Sequence, residues 1–132
     1  MIGIDANVLV RFFAKDDPDQ SLQARNLIAS FTADEPGFIP LVVIVELVWV
    51  LQGFYRVTKE ETLSLLENLL RARAMVVENA PVVWEAVRSY ARSQADFPDC
   101  LIERSARHAK CKHTVTFDGK AAKTAGMILL DS

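Results

Sequence analysis

The sequence predicts a single α/β domain built on a mainly parallel sheet. Short apolar runs of strand length alternate with longer segments of helical periodicity, the pattern of βα units joined by crossovers. The 132-residue chain is long enough to bury a sizeable core and too short for a second domain. Its 51% hydrophobic and 24% charged content excludes a disordered chain, and no apolar run reaches the roughly 18 residues a transmembrane helix requires.

Taken in order, residues 2–4 (Ile-Gly-Ile) read as a buried strand with Asp5 at its carboxyl end, the edge at which open α/β sheets bind ligands. Residues 7–14 form a short helix with Val8, Leu9, Phe12 and Phe13 on overlapping faces. In Asp16-Asp17-Pro18-Asp19, Asp17 is the N-cap and Pro18 the first residue of a helix that carries Leu22, Leu27, Ile28 and Phe31. Those acids have a local job, so metal ligation is the weaker reading of them. Gly37-Phe38-Ile39 is a second strand. Residues 41–53 are rich in β-branched side chains, yet their length, Pro40 before them and Gly53 at their end predict a buried helix.

Thr58-Lys59-Glu60-Glu61 is a capping box that opens a helix with Leu63, Leu66, Leu69 and Leu70 on one side. Met75-Val76-Val77 is a third strand. Asn79 and Pro81 start a helix in which Trp84, Val87, Tyr90 and Ala91 follow core spacing. Asp96-Phe97-Pro98-Asp99 opens the next, to about Lys110. Residues 113–117 form a strand, Asp118-Gly119 turns the chain, and residues 127–130 form the last strand. Cys100 and Cys111 fall on one helix about 16 Å apart, too far to bridge, and read as reduced, mostly buried thiols. Phe12, Phe13, Trp49, Phe54 and Tyr55 read as core rather than as a partner groove. The N-terminus shows neither a basic n-region nor a cleavage site, which predicts a cytoplasmic protein without a signal peptide.

The net charge of −2 argues against a nucleic-acid partner. Its distribution is less simple, because Arg104, Arg107, Lys110 and Lys112, with His108 and His113, form a segment without an acid. That segment is either a solvated helix face or a track for phosphates, and alone it reads as the former.

Four carboxylates carry the functional signal. Glu46 interrupts an otherwise apolar helix, and a buried carboxylate needs a partner, either an arginine from elsewhere in the fold or a cation. Asp99 lies in the first turn of its helix, with Asp96 three residues earlier as N-cap, and both have helix-end roles available to them. Asp118 repeats the grammar of Asp5, a strand ending in an acid. If those two strands are neighbours where strand order reverses, both acids face one crevice. Like charges so placed repel, and a hard divalent cation such as Mg²⁺ or Mn²⁺ relieves them; the absence of His and Cys disfavours zinc.

These residues resemble a PIN domain, and in particular the small ribonuclease toxins of the VapC kind. The matching features are Ile4-Asp5-Ala6-Asn7-Val8-Leu9, the segment from Ile39-Pro40 through Glu46 to Leu51, Asp96-Phe97-Pro98-Asp99-Cys100-Leu101-Ile102, and Val115-Thr116-Phe117-Asp118. They cover nearly the whole chain in the family's order. The resemblance implies a three-layer α/β/α fold. It also implies that Asp5, Glu46, Asp99 and Asp118 bind Mg²⁺ or Mn²⁺, with Asp96 an accessory and Asn7 and Thr116 orienting the acids. It implies further an RNA substrate, a homodimer and an antitoxin whose tail lies in a groove near the active site. Ala6 departs from the Thr or Ser often found there, which puts one supporting hydrogen bond in doubt.

Two enzyme classes with an acid after the first strand fit less well. A haloacid-dehalogenase-type phosphatase needs a second Asp where Asn7 stands, and a receiver domain needs a phosphorylatable Asp at the end of a middle strand, where Glu78 follows Val77. A non-catalytic PIN-like module that binds RNA or protein is the alternative from another class.

Overall fold

The computed structural model describes residues 1–130. Two compact units divide the chain, Met1–Glu78 and the residues from Asn79 on.

In the first unit, β1 (Ile2–Gly3), β2 (Gly37–Ile39) and β3 (Met75–Val77) form a parallel sheet in the order β1-β2-β3. Four helices join them: α1 (Ala6–Ala14), α2 (Pro18–Ser30), α3 (Leu41–Gly53) and α4 (Lys59–Arg71). Local chemistry sets their starts. Asp5 Oδ1 accepts the Ala6 N–H at 2.7 Å, Asp17 Oδ1 accepts that of Gln20 at 3.1 Å, and Thr58 with Glu61 completes the capping box in both directions. Pro40 has no side-chain acceptor to offer α3, and Glu78 Oε1 takes the Leu41 N–H at 2.7 Å instead. Gly37 sits where a Cβ would come within 2.6 Å of Phe31 and 2.7 Å of Ile4, so the start of β2 admits only glycine without rearrangement.

Four expectations for this unit need correction. Residues 2–4 are not a uniformly buried strand: Ile4 is 3% exposed but Ile2 is 46% exposed, and β1 covers only Ile2–Gly3. The helix at 41–53 forms, but it is buried on one side only. Val43, Ile44, Leu47, Val48 and Leu51 face the interior, while Val42, Glu46 and Trp49 are exposed. Trp49 and Phe54, read as core, are 73% and 76% exposed. Leu22 likewise projects outward, and α2 buries Ser21 and Ala24.

In the second unit, α5 (Ala80–Arg92) packs on α6 (Phe97–His108), with Tyr90 and Phe97 in an edge-to-face contact at 5.8 Å. The parallel pair β4 (Val115–Thr116) and β5 (Ile128–Leu129) is connected by α7 (Gly119–Ala125), so both strands are shorter than the sequence predicts. Gly126 ends α7 at φ 81°, a conformation that favours glycine. Cys100 is buried as expected, whereas Cys111 lies beyond the end of α6 and is exposed; both are free thiols. Among the described residues no helix is long and apolar enough to cross a membrane.

Candidate functional site

Each of the two strand-end acids is also a helix cap. Asp5, exposed after Ile4, caps α1, and Asp118 caps α7 through an Oδ1 that accepts the Lys120 N–H at 2.9 Å. In both cases one carboxylate oxygen is fixed by backbone. Thr116 adds a further restraint, because its Oγ1 accepts the Asp118 N–H at 3.0 Å. Asn7 is exposed in the first turn of α1 and lines a 460 Å³ cavity with Arg11, Gln20 and Gln23; its side chain makes no hydrogen bond to Asp5.

Glu46 belongs to the exposed face of α3. The inference from its burial therefore falls, since an exposed carboxylate keeps its hydration and needs no partner. What is left of its candidacy is its place in the family pattern.

The second unit gathers three of the proposed residues. Asp99, in the first turn of α6, is half-buried, and its carboxyl is pushed above the usual range by burial first, then by the charges of Asp96 and Asp118. Lys120 opposes that shift. Asp96 is at the N-cap of α6 as predicted, but makes no side-chain bond to the helix; its Oδ1 lies 3.1 Å from the Lys120 ammonium instead. Among the described residues no three His, Cys, Asp or Glu side chains are close enough together to form a ready-made metal cage. By donor type the cluster fits a hard divalent cation all the same, since it offers carboxylate oxygens alone and carries repulsion that such a cation would relieve.

The basic segment is largely spoken for by acids of the same unit. Arg107 Nη2 donates to Glu103 Oε2 at 2.9 Å, Arg104 Nε lies 3.4 Å from Glu103 Oε1 without hydrogen-bond geometry, and Arg104 Nη1 is 4.0 Å from Glu85 Oε1. His108 Nε2 also bonds Glu85, whose carboxyl is held below the usual range chiefly by that contact. Glu103, only 7% exposed, is the buried acid among the described residues. Of the four cations, Lys110 and Lys112 are exposed past the helix end.

Sequence reasoning also missed a network around Arg11. Its guanidinium donates to Gln20 Oε1 at 2.7 Å, to Asp16 Oδ1 at 3.2 Å and to Tyr55 Oη at 3.1 Å, while the Tyr55 hydroxyl donates to Asp16 Oδ2 at 2.7 Å. Asp16 and Gln20 are near Arg11 in sequence, but Tyr55, which closes the network, lies 44 residues away and no local signal announces it.

With the acids placed, the family model for the PIN domain matches residues 2–127. The chain belongs to the PIN domain family. Its helices and all-parallel strand pairs are those of a PIN-like α/β/α fold. This PIN domain is similar to the VapC ribonuclease of Aquifex aeolicus (strain VF5), at 28% identity over 123 residues that cover 93% of this chain and 90% of that protein. Asp5, Glu46, Asp96, Asp99 and Asp118 all fall inside the matched span.

Proposed function

We propose that this PIN domain is a divalent-metal-dependent endoribonuclease of the VapC kind, the toxin of a toxin–antitoxin pair. The observation that carries the reading is the similarity to a VapC ribonuclease along nearly the whole chain, within a family match that includes every proposed acid. Asp5, Glu46, Asp99 and Asp118 would hold Mg²⁺ or Mn²⁺ through oxygen ligands, and that ion would supply Lewis-acid activation of water and relief of charge on the phosphodiester.

The chain's own residues prepare for that chemistry. Asp5 and Asp118 present carboxylates already restrained by their caps, and Thr116 holds the backbone at Asp118. Asp99 contributes a half-buried carboxyl that burial and the charges of Asp96 and Asp118 push above its usual range, and Asp96 stands beside it as an accessory. Of the basic segment, Lys110 and Lys112 are exposed past the helix end and track the RNA backbone, an interaction that weakens with salt. Residues 1–132 act as one domain, in the cytoplasm, as a homodimer restrained by a cognate antitoxin.

Incubation of purified wild type and Asp5→Ala with RNA and Mg²⁺ or Mn²⁺ tests the activity. Cleavage by wild type, abolished by EDTA and by the substitution, is expected; no metal-dependent cleavage would sink the reading. Expression in a bacterial host tests the toxin role, with growth arrest expected from wild type and not from Asp5→Ala. A binding module without catalysis would take up RNA in both forms and cut with neither.

A further inference from the structure

Lys120 touches two of the three candidate-site acids of the second unit, Asp96 and Asp118. Its backbone N–H bonds Asp118 Oδ1 at 2.9 Å and its ammonium lies 3.1 Å from Asp96 Oδ1. Its charge also acts on Asp99, against the repulsion from the other two carboxylates.

Stability does not account for this arrangement. The Lys120 and Asp96 side chains are 55% and 66% exposed, and an exposed ion pair contributes at most about 1 kcal/mol. An Asp at an N-cap contributes about as much by accepting a helix N–H, and Asp5, Asp17 and Asp118 all do so. Asp96 forgoes that bond and turns to Lys120. The side chain that could have capped α6 is held instead at the acidic cluster, by a cation on the residue pair that also fixes Asp118.

We propose that Lys120 is a positioning residue of the acidic site, a built-in counter-ion that shares the carboxylates with the divalent cation and pairs with the phosphodiester once that cation is bound. The inference rests on the metal-dependent nuclease reading. Its chemistry is simple: an ammonium and a divalent cation are drawn to the same acidic cluster because both are positive, and an ammonium displaced from that cluster has the anionic substrate as its next partner.

The test uses the full chain as wild type, Lys120→Met and Lys120→Arg, first titrated calorimetrically with Mn²⁺ alone. Lys120→Met is expected to bind Mn²⁺ about three- to tenfold more tightly than wild type, as loss of one nearby positive charge in a largely aqueous setting predicts, and Lys120→Arg to match wild type. Binding of a 2′-O-methyl RNA oligonucleotide, which resists cleavage, is then measured with Mn²⁺ present; Lys120→Met is expected to weaken it several-fold and Lys120→Arg to restore it. Equal or weaker Mn²⁺ binding by Lys120→Met overturns the proposal, as does an arginine variant that behaves like the methionine one. Those outcomes leave the nuclease reading standing when wild type binds Mn²⁺; a wild type that binds none removes that reading and this one together. Thermal melts of all three proteins keep a folding defect from passing as an effect on binding.

Discussion

The Lys120 ammonium lies 3.1 Å from Oδ1 of Asp96, a carboxylate that occupies the N-cap of α6 without bonding to the helix. Asp96→Ala should therefore leave stability within about 0.5 kcal/mol of wild type, since the pair it breaks is exposed. Asp17→Ala, which removes a cap that is made, should cost about 1 kcal/mol. Urea unfolding of both variants gives the comparison, and equal losses would show that Asp96 caps α6 after all.

Glu103 is the acid on which α6 depends most. It is 7% exposed and faces Arg104 and Arg107, the first of which is itself mostly buried. Glu103→Gln keeps the volume and leaves Arg104 without its near counter-charge, so a loss of about 2–3 kcal/mol is expected. Arg107→Ala, at the exposed end of the same pair, should cost less than about 1 kcal/mol. Chemical denaturation that ranked the two in the opposite order would refute this assignment.

The network of Arg11, Asp16 and Tyr55 makes stability depend on pH at both extremes. The Tyr55 hydroxyl, followed by Arg11, holds the Asp16 carboxyl below its ordinary 3.8; this contribution is complete above that value and is lost as pH falls through the lower folded one. The same bond pushes Tyr55 above its ordinary 10.0, a contribution complete below that value and lost as pH rises through the higher folded one. Tyr55→Phe should thus lower Tm most in the neutral range and flatten the profile at each end. A uniform Tm offset at every pH would argue that Tyr55 acts by packing alone.

Gly37→Ala tests the close approach at the start of β2. The new methyl group would stand 2.6–2.9 Å from Phe31 and Ile4 side-chain atoms, and both residues are buried and have little room to yield. A loss of about 1–3 kcal/mol is expected, as for other overpacked cores. Phe31→Leu in the same chain should recover part of it; no recovery would place the strain elsewhere.

The elements legible in the sequence are those whose signals are local. Asp17-Pro18 and Thr58 with Glu61 specify their helices within a single turn, and both caps form as written. Asp118 was legible for the same reason, as an acid at the end of a strand and before Gly119. Glu46 was misread because an apolar run does not declare which of its faces is covered; Val42 and Trp49 are as exposed as their neighbours are buried. The acids that face Arg104 were not legible from its own basic segment, since Glu103 lies just before it and Glu85 belongs to another helix. Lys120 gave no signal, since an ordinary lysine in a helix gains meaning only from the Asp96 it meets across the fold.

Asp5 and Asp118 begin helices and carry proposed ligand charge with the same carboxylate. Asparagine caps a helix about as well as aspartate, and the two differ by one base in their codons. A lineage carrying this chain therefore has a short mutational route along which catalysis disappears while the fold persists, and descendants that retain the architecture for binding alone would bear Asn at those positions more readily than Ala.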